Sequence, residues 1–173
     1  MSESEKIKTS IERVKKTLAQ RPSFGLGTGI SKTTVTKGLT CHVQEGDWKF
    51  VSDMTEQVGG NGTGPTPGVF GRAALGSCLA IGYMMRAAEL GVSIDSLEVE
   101  VQADYDDGAL FGTVQDKPPG YLEVRYAVMV DSDAPQEDIL KVIDEADKHS
   151  PYLDVFSRAQ KCIRQVHIAE KHH

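Results

Sequence analysis

Ile7, Ile11, Val14 and Leu18 recur at helical spacing near the start of the chain, and Arg21-Pro22 closes the run. This predicts an amphipathic helix over residues 1–21 with one face for the body or for a partner subunit. After "GLGTG" the period shortens. In "SKTTVTKGLTCHVQEGDWKFVSD", Leu39, Cys41 and Val43 alternate with Thr40, His42 and Gln44. That predicts an antiparallel ribbon turning at Glu45-Gly46-Asp47, with Cys41 pointing inward. In "SIDSLEVEVQADYDD", Leu97, Val99, Val101 and Ala103 share one face opposite Glu98, Glu100, Gln102 and Asp104, the mark of a half-buried strand. "GTVQDKPPG" reads as a loop. "YLEVRYAVMV" reads as a second strand, with Leu122, Val124, Tyr126, Val128 and Val130 on one side. "DSDAPQEDILKVIDEADKHSP" predicts a helix. Asp131 to Asp133 are cap candidates, Pro135 suits an early position, Glu137 and Asp138 favour the positive end, and Lys148 and His149 lie near the other. A short "PYLDVF" segment and a last strand around "CIRQVHI" follow, with His172 and His173 in a frayed tail.

The central helix, residues 68–90, has a different character. From Val69 to Leu90 its charged residues are Arg72, Arg86 and Glu89, and Gly91 stops it. With two arginines and no anchoring flanks it makes a poor membrane span. A helix apolar almost all round must instead be covered on several sides. Arg72, Leu79 and Arg86, each seven apart, form the one stripe expected to reach water or an anionic group. Gly71, Ala74, Gly76, Ser77, Ala80 and Gly82 permit close backbone approach, and a second sheet or second subunit is the natural cover. Helices and antiparallel strands in this order read as α+β, with the helix 1–21 set apart from a single domain over 22–173.

Composition narrows the chemistry. A chain of 173 residues with a net charge of −6 is not suited to holding nucleic acid through phosphate contacts. Cys41, Cys78 and Cys162 are too scattered for a disulfide framework or for paired zinc spacing. No apolar leader marks the N-terminus, so the expected address is the cytoplasm, with no membrane partner, no metal and no cofactor called for. "GGNGTGPTPG" lacks the Gly-Lys-Ser/Thr of a phosphate cradle and reads as a loop leading into the helix at Pro67.

Cys78, within the apolar helix, is the candidate for chemistry. The thiolate is the nucleophile, and it needs a cation near the sulfur. The positions at i±3 and i±4 hold Ala74, Leu75, Ile81 and Gly82, so any cation must come from elsewhere in the fold. The residues alone also allow a structural role, because buried free cysteines are common. His149, beside Ser150, is a possible pocket base or simply a helix-end histidine.

"TPGVFGRAALGSCLAIGYMMRAAELGVSIDSLEVEVQAD", followed some forty-five residues later by "HSPYLDVF", resembles the OsmC/Ohr family of thiol-dependent hydroperoxide reductases. The likeness spans residues 30–168. It implies an intertwined α+β homodimer, with sheets from both chains around long central helices and sites at the interface. It also implies that Cys78 is the reactive cysteine, oxidised by organic hydroperoxides to a sulfenic acid. The family's second cysteine falls on Ser150, before Pro151, and its glutamate, ten residues before the reactive cysteine, falls on Gly68. The family's N-terminal arginine has no clear counterpart. Gly68, His149 and Ser150 are therefore expected around the Cys78 pocket. Two readings stay open: a one-cysteine peroxidase reduced by an external thiol, and a non-catalytic member binding an apolar or acyl ligand.

Overall fold

A computed structural model describes residues 1–168. His172 and His173, assigned to the tail, lie outside the described residues. The chain opens with α1 (Glu3–Gln20). Ser2 caps it, accepting from the Glu5 N–H while the Glu5 carboxylate accepts from the Ser2 N–H, a reciprocal capping box. One turn of 3-10 helix (Pro22–Gly25) follows. Next come β1 (Lys32–Val35), β2 (Cys41–Glu45) and β3 (Trp48–Ser52), an antiparallel three-stranded sheet in sequential order. Glu45 pairs with Trp48 across a turn in which Gly46 holds a left-handed φ of +55°, as the Glu45-Gly46-Asp47 pattern requires.

The long helix α2 (Pro67–Leu90) ends at Gly91, whose φ is +72°. Beyond it, β4 (Ser96–Asp104) and β5 (Glu123–Asp131) pair antiparallel, with a short helix α3 (Asp107–Leu110) between them. Their register sets Leu97 opposite Val130, Val99 opposite Val128, Val101 opposite Tyr126 and Ala103 opposite Val124. These half-buried residues make one face, and exposed residues make the other, so the period-2 pattern is realised in full. Helices α4 (Gln136–Asp147) and α5 (Pro151–Ser157) complete the described elements.

The core forms where α2 crosses this two-stranded sheet and α4. Leu75, Leu79, Tyr83 and Ala146 are buried there, with Val99, Val101, Val124, Tyr126, Ile143, Leu153 and Phe156 packed around them. Gly76 lets α2 sit close on β4: a Cβ there would already lie 3.4 Å from the Val101 side chain. Helix α1 lies against α2, and its Lys15 pairs with Glu89, which also binds Arg86 at 2.9 Å.

Several expectations are corrected. Residues 158–168, expected to hold a strand at "CIRQVHI", are irregular and exposed: alternation makes a segment able to pair, but this one is not laid against any strand of either sheet. Asp131–Asp133 do not cap α4: β5 runs through Asp131, Pro135 takes the N-cap place, and Ser132 closes the turn by accepting from the Ala134 N–H. The Arg72–Leu79–Arg86 stripe is an inward face. Leu79 lies in the core beside Leu75 and Tyr83, and the two half-buried arginines extend from its ends.

Candidate functional site

Gly and Pro dominate the approach to α2, and a buried carboxylate organises it. Asp53, at the end of β3, is almost fully enclosed. Its side chain accepts from the Thr63 hydroxyl (2.7 Å), the Thr40 hydroxyl (2.9 Å) and the backbone N–H groups of Met54, Asn61 and Thr63. These bonds, the Thr63 hydroxyl foremost, lower its pKa to about 2. Gly60 and Gly64 run so close to the backbone of Met54 and Val51 that a side chain at either position would overlap a carbonyl. The loop is thus a tied structure that fixes where α2 begins.

Three turns into α2, Cys78 is half-buried, and its sulfur lies 3.6 Å from the Ser150 hydroxyl. Ser150 is buried and caps α5, its Oγ accepting from the Leu153 N–H at 3.3 Å. With that lone pair engaged, the Ser150 proton is free to point at the sulfur, and a thiolate could only accept it. Among the described residues, Ser150 is the polar side chain within hydrogen-bond reach of Cys78. No acidic or basic group accompanies it there.

The other residues expected at the pocket make no hydrogen bond to Cys78 in the single chain. His149 is exposed, its backbone N–H bound to the Ala146 carbonyl, and it makes no hydrogen bond to Cys78 or Ser150 among the described residues. Gly68 is ten residues up the same helix, about 15 Å along its axis, so the two cannot meet within one chain. Around Gly68 stand Arg72 and Tyr121. The Tyr121 hydroxyl donates to the Gly68 carbonyl at 3.0 Å, the Arg72 guanidinium lies 3.4 Å from that hydroxyl, and a Cβ on Gly68 would be 3.3 Å from Arg72. Cys41 and Cys162 are free and remote in sequence from this contact.

A feature with no sequence forewarning sits next to Ser150. The Asp147 carboxylate, ending α4, accepts from the Tyr83 hydroxyl of α2 (2.8 Å) and the Tyr126 hydroxyl of β5 (2.9 Å). Burial and then the neighbouring carboxylate push Tyr126 up to about 12 and raise Tyr83 further. A carboxylate at a helix C-terminus opposes the helix dipole, and that misfit is the one signal in the sequence that could have drawn attention to it.

Between the N-terminal half of α2, the start of β5 and α5 runs a groove of about 520 Å³. Leu75, Val124, Tyr126, Leu153 and Phe156 line it, and Tyr121 stacks near Phe156.

A family model described as OsmC-like protein matches residues 60–163, well over half the chain, and takes in Cys78, Ser150 and the groove. The chain belongs to the OsmC-like protein family. Solved structures agree on the fold. The OsmC like protein of Mycoplasma pneumoniae is 14% identical with a TM-score of 0.65, over 76% of this chain and 88% of that one. An organic hydroperoxide resistance protein OsmC from Legionella pneumophila is 19% identical with a TM-score of 0.55, over 76% and 90%. An organic hydroperoxide resistance protein from Elizabethkingia anophelis is 16% identical with a TM-score of 0.57, over 75% and 88%. At these identities the likeness establishes the OsmC-like α+β fold. No curated protein shows significant similarity to the chain.

Proposed function

We propose that this OsmC-like chain is a one-cysteine, thiol-dependent organic hydroperoxide reductase acting as a cytoplasmic homodimer. The observation that carries the reading is the Cys78–Ser150 contact at 3.6 Å, which sets a hydroxyl donor against the sulfur. In the first step the Cys78 thiolate attacks the outer oxygen of ROOH. The O–O bond breaks, ROH leaves with a proton, and Cys78 becomes a sulfenic acid. A hydroxyl at position 150 cannot form a disulfide, so an external thiol condenses with the sulfenic acid, releasing water. A second external thiol then frees Cys78 as an external disulfide forms.

The dimer rests on α2. By length and mean hydropathy this helix would pass for a membrane span, yet one face packs on β4, β5 and α4. The opposite ridge, Val69, Ala73, Ser77 and Ile81 at i, i+4 spacing with Met84 and Met85 beyond, is exposed in the single chain. Ser77 turns its hydroxyl back onto the Ala73 carbonyl at 2.7 Å, leaving the ridge without an unpaired side-chain donor. Small residues at its centre and large apolar ones at its ends suit a two-fold, antiparallel crossing by a second copy. Such a crossing lays the N-terminal half of one α2 against that of the other and brings the Cys78 flank of each helix to the edge of the interface.

A second reading, a non-catalytic member binding an apolar or acyl ligand, is favoured by the apolar groove and by the lack of a cation beside Cys78 in its own chain. One experiment separates the two. Consumption of an organic hydroperoxide with dithiothreitol as reductant should occur in the parent chain, survive in Cys41→Ser and Cys162→Ser, and stop in Cys78→Ser. Mass spectrometry of oxidised protein should find a sulfenic acid or a mixed disulfide on Cys78. No consumption above background by the parent would hand the case to the ligand-binding reading.

A further inference from the structure

Ser150 does not reach Cys78 by its own bonding. It sits on the elbow between α4 and α5, two helices that could otherwise slide along α2. Its backbone N–H donates to the Asp147 carbonyl at 3.3 Å, and three residues later its hydroxyl caps α5. The elbow is therefore registered against the rest of the fold through Asp147. The side chain of Asp147 reaches α2 at Tyr83 and β5 at Tyr126, the two elements that frame the core. Tyr83 is fully buried and lies five residues beyond Cys78 on the same helix, so the point that fixes Asp147 and the sulfur that Ser150 must meet belong to one rigid body.

We infer that Asp147 is a positioning residue: gripped by the Tyr83 and Tyr126 hydroxyls, it holds the α4–α5 elbow in the register that sets the Ser150 hydroxyl on the Cys78 sulfur. The role rests on reading Cys78 as the reactive thiol, since a structural cysteine would need no such register. The arrangement is directional. An ionised carboxylate offers acceptors only, and each oxygen takes one phenol, so both tyrosines are oriented by a single group. The neighbouring acid Glu145 gives the contrast. It is also near the end of α4, but its hydrogen-bond partner is the exposed Lys148, on the elbow itself; among the described residues it makes no hydrogen bond to α2 or β5, and α2 reaches it only through the distant charge of Arg86.

The register can be read without any peroxidase activity. In a Ser150→Cys background the introduced thiol stands where the hydroxyl now lies, 3.6 Å from the Cys78 sulfur. Oxidised glutathione should join the two thiols, taking up two electrons and two protons as it becomes two molecules of glutathione. The equilibrium constant for this bridge, read by alkylation and mass spectrometry, reports how much of the chain holds the two positions in register. Adding Asp147→Asn should lower that constant about tenfold, the factor expected for one hydrogen bond to a charged group. Tyr126→Phe should lower it in the same direction, and Glu145→Gln should leave it unchanged.

A constant within twofold of the parent in Asp147→Asn, with a lowered melting temperature, would show that Asp147 supports the fold alone and would overturn the inference. An equal loss in Glu145→Gln would overturn it too. If Asp147→Asn fails to fold, Tyr126→Phe, which keeps the carboxylate and one phenol, decides on the same criterion. Because the readout is the bridge between position 150 and Cys78, formed by exchange with glutathione, a chain inert to hydroperoxides can still return either answer. Loss of the proposed function and loss of this role are therefore told apart.

Discussion

Replacing Ile81 with aspartate tests the proposed dimer at its most exposed apolar point on α2. The side chain is 60% exposed in the single chain and contributes nothing to the core around Leu75, Leu79 and Tyr83. Complete burial of an isoleucine is worth about 1.5–3 kcal/mol. Covering the exposed part therefore contributes about 1–2 kcal/mol per copy, and about 2–4 kcal/mol per dimer, because a two-fold interface uses each residue twice. At about 1.4 kcal/mol per tenfold, loss of that contact alone weakens association from about 30-fold to several hundred-fold. A carboxylate buried without a partner adds to the loss. Sedimentation or light scattering across a dilution series should show the parent as a dimer, Ile81→Leu close to it, and Ile81→Asp as a folded monomer with unchanged far-ultraviolet circular dichroism. A parent that is a stable folded monomer throughout, or an Ile81→Asp chain that dimerises as tightly as the parent, would refute the reasoning.

Two further outcomes follow from the loop and from the first helix. The folded chain holds the Asp53 carboxyl at about 2 against an ordinary 3.8, so the unfolded state takes up its proton first as pH falls. The stability linked to Asp53 is full above about pH 4 and lost as pH falls through about 2. Melting curves should show Asp53→Asn less stable than the parent at neutral pH and the gap closing in acid; a constant gap would contradict the assignment. Removal of residues 1–21, the proposed boundary between α1 and the domain, should lower stability by about 1–3 kcal/mol, since Ile7 and Ile11 are only half-buried and the Lys15–Glu89 pair is largely exposed on its Lys15 side. It should leave the dimer intact, and a monomeric truncated chain would show that α1 belongs to the interface.

What the sequence disclosed and what it hid follow from the range of the forces involved. The strands around Val99 and Val128 announce themselves because alternation is local and each strand carries its whole pattern. Helix α2 was likewise legible from composition and from its Gly91 stop. The direction it faces was not: Arg72 and Arg86 drew the stripe outward, whereas Leu79 between them is buried and both arginines reach the surface by the length of their side chains. The strand read at "CIRQVHI" failed for a related reason. Alternation describes a segment able to pair but names no partner strand, and in the single chain Ile163, Val166 and Ile168 stay exposed and unpaired although β4 and β5 each keep an open edge. At the site, Ser150 was placed by the resemblance and the structure sets it on Cys78. Gly68 and His149 come from the same likeness or from adjacency, and within the single chain neither makes a hydrogen bond to the sulfur. Asp147 escaped notice because its partners lie 64 and 21 residues away.

The serine at position 150 constrains the chemistry more than the absence of a second thiol alone suggests. A resolving cysteine ends each cycle inside the protein, so the oxidised sulfur can remain shut off from solvent. A hydroxyl cannot do this, and a sulfenic acid on Cys78 must wait for a thiol that arrives from outside. On the proposed dimer the side of α2 that carries Ser77 and Ile81 is covered by the second copy, which closes one approach to Cys78. The opposite flank holds Leu75, Leu79 and the core. What remains is the side of α5, where Ser150 itself stands and where Leu153 and Phe156 border the groove. The group that orients the sulfur thus also flanks the route by which a reductant must reach it. On the proposed mechanism, dithiothreitol should outpace a folded dithiol protein as reductant at equal thiol concentration. The opposite ranking, with a folded dithiol protein outpacing dithiothreitol at equal thiol concentration, would mean that the α5 elbow opens during turnover and that Asp147 releases its grip to let it.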